Sequence, residues 1–195
     1  MNPRSSIISI MLFLFLGVNL CEAGQDTIRL TLSSGEEARI EYGSDGGWEY
    51  RQGGEIYGLE KDQAGVLVFN KGYQMIATGR FKGDKLDMAT GTGDGFLFVK
   101  VTADKIKFGA SSTTMSWEFK IKPDKIKIVY GSMEYGKVKY YPDTGKIKAK
   151  DKSDKTVAEI KDSKGLTAAP GAFLVDDFSQ DKAVFLCLLV LSLGK

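Results

Sequence analysis

In Lys137-Val-Lys-Tyr-Tyr141 and Lys146-Ile-Lys-Ala-Lys150, the two sides of Pro142-Asp-Thr-Gly145, lysines flank Val138 and Ile147 at period two. Successive side chains of a strand point to opposite faces, so Val138 and Ile147 turn toward a core and the lysines toward water. The same unit, Asp or Gly followed by Lys, an aliphatic residue and Lys, stands at Asp104–Lys107, Asp124–Lys127, Gly136–Lys139 and Gly145–Lys148. The Asp or Gly at its head supplies turn chemistry. Spacings of 20, 12 and 9 residues make it a hairpin-length echo and not a solenoid repeat.

Outward from this stretch, apolar residues recur at period two from Thr27 onward, with Gly, Asp, Asn or Ser every 8 to 12 residues. That is the pattern of an antiparallel all-β domain. Fourteen candidate strands result: Thr27–Leu32, Glu37–Tyr42, Gly47–Arg51, Ile56–Glu60, Gly65–Phe69, Gln74–Phe81, Lys85–Thr90, Gly95–Val101, Ile106–Ala110, Met115–Ile121, Ile126–Tyr130, Lys137–Tyr141, Lys146–Lys150 and Thr156–Ile160. Some of them are expected to merge or to prove loops. No amphipathic helix precedes Gly165.

The chain begins as an exported protein does. Met1–Arg4 is a short positive start, Ile7–Leu20 an apolar run of about 14 residues, and Cys21-Glu22-Ala23 a small-x-small cleavage signal. Residues 1–23 are read as a signal peptide, too short in its apolar part for the roughly 20 residues that span a bilayer. Leu20 does not fit the small residue that precedes an acylated cysteine, although acylation of Cys21 remains the competing reading. Cleavage of 23 residues from 195 leaves 172, a single domain over 24–195, with Cys187 as its lone thiol and no internal disulfide. The expected location is periplasmic or secreted.

After Gly165 the alternation stops. Ser179 is a good N-cap, and a helix is expected over about 180–193, where Ala183–Leu191 is apolar on every side. Nine such residues cover about 14 Å, half of a bilayer core, so protein is the better enclosure and the mature chain has no expected transmembrane span. A dozen antiparallel strands followed by one wholly apolar helix resembles the tubby C-terminal-like superfamily, which includes phospholipid scramblases and LURP-one-related proteins. The segment Tyr140–Asp151 followed by Thr156–Ile160 is similar to the strand-turn-strand steps of these proteins. The resemblance implies a mainly β fold, a closed antiparallel barrel of about twelve strands around a hydrophobic C-terminal helix. It carries over no functional residue.

Charge is unevenly distributed. Ala103–Lys164 holds 15 basic against 9 acidic residues, whereas Gly24–Thr102 holds 9 against 12. Lys120, Lys122, Lys125, Lys127, Lys137, Lys139, Lys146 and Lys148 are the candidate binding residues, with Lys105, Lys107 and Lys150 on the same outward positions. Such a face suits an anionic lipid, a glycan, a protein partner or an envelope surface, and it also serves as a solubilising surface that discourages edge pairing. Nucleic acid does not suit an exported chain of pI 8.4.

Catalytic chemistry has little to stand on. Histidine is absent, which removes the commonest general base and metal ligand. Gly91–Gly95 lacks the spacing of a phosphate-cradling loop, Asp176 and Asp177 lack the surrounding oxygens of a calcium site, and Trp48 and Trp117 suit a core. The expectation is a monomeric, non-enzymatic binding module with no catalytic residue, metal or cofactor. Two alternatives remain open: an envelope hydrolase using a carboxylate pair among the 24 acids of the mature chain, and a cleaved C-terminal membrane-addressing tail after Ala168 and Ala169.

Overall fold

The computed structural model describes residues 27–43, 46–90, 96–109 and 116–175. Its strands are β1 (Thr27–Leu32), β2 (Glu37–Tyr42), β3 (Trp48–Gln52), β4 (Glu55–Lys61), β5 (Val66–Lys71), β6 (Gln74–Lys82) and β7 (Lys85–Thr90). The order continues through β8 (Phe96–Thr102), β9 (Lys105–Gly109), β10 (Trp117–Ile121), β11 (Lys125–Tyr130), β12 (Met133–Tyr141), β13 (Lys146–Asp151) and β14 (Thr156–Ile160). Each strand pairs antiparallel with its neighbours in the chain, and β1 closes on β14 through Leu30↔Ile160, Thr31↔Glu159 and Leu32↔Ala158. The closed antiparallel barrel is therefore the fold. It has fourteen strands where the resemblance implies about twelve, and none of the fourteen candidate segments merges. The leader 1–23 with Cys21, the stretch Gly91–Gly95, Asp176 and Asp177, and the helix expected over 180–193 with Cys187 lie outside the described residues.

The period-two pattern decides which side chains face inward. Ile28, Leu30, Ile40, Tyr50, Leu59, Phe69, Leu86, Val99, Phe108, Phe119, Ile126, Val138, Ile147 and Ile160 are all buried, and charged or polar residues take most of the alternate positions, with Val66 and Val68 of β5 as exceptions. A bilayer-spanning barrel has the reverse alternation, apolar outside and polar inside. Among the described residues no helix is long and apolar enough to cross a membrane. Trp48 and Trp117 are buried, Trp117 with the rings of Tyr130 and Tyr135 each 5.0 Å away.

The largest departure from the sequence reading is β12, which begins at Met133 and not at Lys137. Gly131 adopts φ 59°, and Tyr130 pairs with Met133 across a two-residue turn. The glycine that interrupts the alternation, Gly136, is buried within the strand. A Cβ there would land on the backbone oxygen of Lys150 and 2.9 Å from Leu174 Cδ1, so glycine serves close approach and does not break the strand.

Leu174 belongs to a 3₁₀ segment, Ala169–Leu174, that packs against β12, β13 and β14. A Cβ on its Gly171 would meet Ile128 Cδ1 at 2.8 Å, with Phe119 Cε2 and Val138 Cγ2 at 3.0 Å. Those are inward-facing side chains, so this segment lies inside the barrel. Eight strands give an interior that side chains alone fill, and fourteen require more filling than the wall supplies.

The barrel also repeats itself. Shifting β5 (66–71) and β6 (74–82) by 59 residues gives 125–130 and 133–141, the bounds of β11 and β12. The register shift at Phe69/Asn70 falls on the one at Ile128/Val129, and Gly72 (φ 57°) falls on Gly131 (φ 59°).

Candidate anion-binding face

The antiparallel register arranges the expected lysines in two rows across the outer wall. The first runs Lys105↔Lys120↔Lys127↔Lys137↔Lys150 over β9 to β13. The second runs Lys125↔Lys139↔Lys148 and ends on Glu159 of β14. Lys122, just beyond β10, joins its head, where its N–H donates to the Lys125 carbonyl at 2.9 Å. Lys146 lies opposite Tyr141, nearer the turn. All eight candidates are thus on one outer surface, seven on strands and Lys122 in the β10–β11 turn.

The two rows differ in their counter-charges. In the first, Lys127 pairs with Glu134 at 2.7 Å, while Asp154 takes both Lys137 at 2.8 Å and Lys150 at 2.7 Å. Lys137 and then Lys150 hydrogen-bond the Asp154 carboxylate and push its pKa down to about 2. The hydrogen bond from Lys127 likewise lowers Glu134, and that from Lys107 lowers Glu118, which also pairs with Lys120 at 3.6 Å. In the second row Lys125 reaches Asp124 only at 3.8 Å, and Lys148 at 3.1 Å shares Glu159 with Lys146 at 3.8 Å. Among the described residues Lys122 and Lys139 have no carboxylate partner; the Lys139 ammonium instead lies 5.3 Å from the centroid of the Tyr141 ring.

Two features of this face escape the sequence reading. Asp154 is left-handed, at φ 62°, in the turn between β13 and β14; the chain gives it away only as an Asp in the turn cluster Lys152-Ser153-Asp154. Tyr141 follows the alternation that puts Lys139 outward, and nothing in its spacing singles it out as the ring beside the Lys139 ammonium.

On the opposite side of the barrel, Glu41, Glu49 and Glu60 line a depression of about 410 Å³ beside Tyr42. Glu41 and Glu49 face each other across β2 and β3. Arg39 pairs with Glu41, and Arg51 reaches Glu49 at 2.5 Å and Glu41 at 4.0 Å. The adjacent acids are therefore tied to guanidinium groups. Among the described residues no three His, Cys, Asp or Glu side chains gather as a metal site.

Comparison with protein-family models, with curated proteins and with solved structures found no match to this chain.

Proposed function

We propose that the protein is an exported, non-enzymatic binding module, a monomeric barrel of the tubby type that recognises an anionic surface through the lysines of β10 to β13. The observation that carries this reading is the register: seven of the eight candidate lysines occupy outward strand positions in adjacent strands. Opposed like charges cost stability in a sheet, so this concentration calls for a use. The absence of histidine from the chain supports a binding role over a catalytic one.

Electrostatic recognition of this kind is screened by salt, with a Debye length near 10 Å at 0.1 M. Sedimentation with anionic vesicles, and with a cell-wall glycan fraction, is expected to retain the protein at about 20 mM salt and release it at about 0.5 M. Equal recovery in the pellet at both salt concentrations, or none at either, would remove the electrostatic reading.

A further inference from the structure

We propose that the row Lys122–Lys125–Lys139–Lys148 is a subsite for a single oxyanion, the phosphate or sulfate group of a larger ligand, centred on Lys139 and bordered by the ring of Tyr141. This rests on the binding role proposed above and narrows it to a part of the face and a chemical group.

Strands in a sheet are spaced about 4.7 to 4.9 Å apart. Three lysines directly opposed on β11, β12 and β13 therefore crowd their stems within about 10 Å. Like charges placed this way repel, and the first row relieves the repulsion with Glu134 and Asp154, both held at 2.7 to 2.8 Å. In the second row only Lys148 has a close carboxylate, Glu159 at 3.1 Å. Lys139, flanked on both sides by a lysine, has no carboxylate partner among the described residues, and its flanking amines have acids at 3.8 Å and a shared one at 3.1 Å.

A tetrahedral oxyanion supplies what this row lacks. Its oxygens accept charge-assisted hydrogen bonds of about 2.7 to 2.9 Å from amines approaching on different sides, and lysine stems are long enough to converge on one group. Lys122 is exposed at the head of the row, and the side chains of Lys125 and Lys148 are 32% and 31% exposed, so an anion can reach them from solvent. Tyr141 places an aromatic face beside the central ammonium, suited to the body of a ligand that carries the anion.

The test is calorimetric titration of the full-length protein with inorganic phosphate and with sulfate, chloride being used to hold ionic strength constant. Lys139→Gln is expected to weaken phosphate binding at least fivefold, and Lys105→Gln, from the β9 end of the first row and outside the lysines of β10 to β13, to change it less than twofold. In phosphate-free buffer at low salt Lys139→Glu is expected to raise the melting temperature, by replacing the central like charge between Lys125 and Lys148 with an opposite one, and to abolish the phosphate response. Equal losses in Lys139→Gln and Lys105→Gln, or none in Lys139→Gln, overturn the subsite. Release of the protein from phosphatidylglycerol vesicles by inorganic phosphate identifies a lipid source of the group, and release from dextran sulfate a glycan-like one. Salt-sensitive retention on either support without a Lys139-dependent phosphate response overturns this inference and leaves the broader binding role standing. No retention on either support removes both.

Discussion

At the scale of single residues, the informative positions are those where a small or charged side chain answers a demand made by another part of the chain. Gly136 and Gly171 both face the 3₁₀ segment's packing, but their neighbours differ. Beside Gly136 the obstacle is a backbone oxygen of the paired strand, whereas Gly171 is surrounded by the ends of Ile128, Phe119 and Val138. Side-chain ends yield and a ladder carbonyl does not. Overpacking costs typically 1–3 kcal/mol, so Gly171→Ala is expected to cost about 1–2 kcal/mol and Gly136→Ala about 3 kcal/mol or more by denaturant unfolding. The reverse order would mean that the wall moves more readily than the segment inside it. Asp154 makes a second demand, joining Lys137 to Lys150, and its carboxyl is held near pKa 2 against an ordinary 3.8. A depressed carboxylate stabilises the fold above its unfolded value, and that stability is lost as pH falls through the folded one. The stability difference between wild type and Asp154→Asn is therefore expected to be constant above about pH 5 and to shrink between about pH 4 and pH 2. A difference that stayed flat across that window would mean that the charge of Asp154 is not what holds the two lysines.

At the scale of elements, alternation was enough to locate every strand, because each buries one face and exposes the other. Four sets of bounds, those of β1, β2, β7 and β14, agree to the residue. It was not enough where a residue serves a distant partner: Gly136 reads as a break because nothing local explains a buried glycine, and its reason lies at Lys150 and Leu174. The site was legible to the same degree. Outward lysines follow from the period, but which of them are neutralised depends on Glu134 at the start of β12 and on Asp154 in the turn before β14, and sequence spacing does not give that. The correspondence between the β5–β6 and β11–β12 hairpins is also hidden, since Asn70-Lys71-Gly72 and Val129-Tyr130-Gly131 share only the glycine. That shared residue has a physical use. Both glycines have positive φ, and a Cβ on either would meet nothing within 4 Å, so the cost of replacing them is purely that of backbone conformation. Gly72→Ala and Gly131→Ala are each expected to destabilise by about 1–2 kcal/mol, and because they lie in separate hairpins the losses should add within about 0.5 kcal/mol. Chemical denaturation of the two single variants and the double variant checks both statements. A loss at only one of the sites would show that the two turns are alike in shape and unlike in importance.

At the scale of the whole molecule, closing fourteen strands removes the exposed edges of the sheet and creates a wide apolar interior that has to be occupied. The inner residues Ile40, Tyr50, Phe69 and Leu86 of β2, β3, β5 and β7 are fully buried, while the 3₁₀ segment Ala169–Leu174 packs chiefly against β12 to β14 on the other side. An apolar wall of this extent favours an apolar guest, since transfer of such surface from water is worth roughly 25 cal/mol per Å². The run Ala183–Leu191 has the matching composition. It lies outside the described residues, and a substitution within it tests the expectation that protein, not lipid, encloses it. If the barrel encloses the run, Leu188→Asp places an unpaired carboxylate among apolar groups, a change that costs several kcal/mol against a total stability of about 5–15 kcal/mol. If the run completes the core, far-UV circular dichroism of Leu188→Asp should show no cooperative β-type melt, and the variant should be recovered in the insoluble fraction. If the run instead meets a bilayer or a second copy of the chain, the same substitution should release a soluble barrel that melts as the wild type does. A retained wild-type melt would therefore refute enclosure by the barrel.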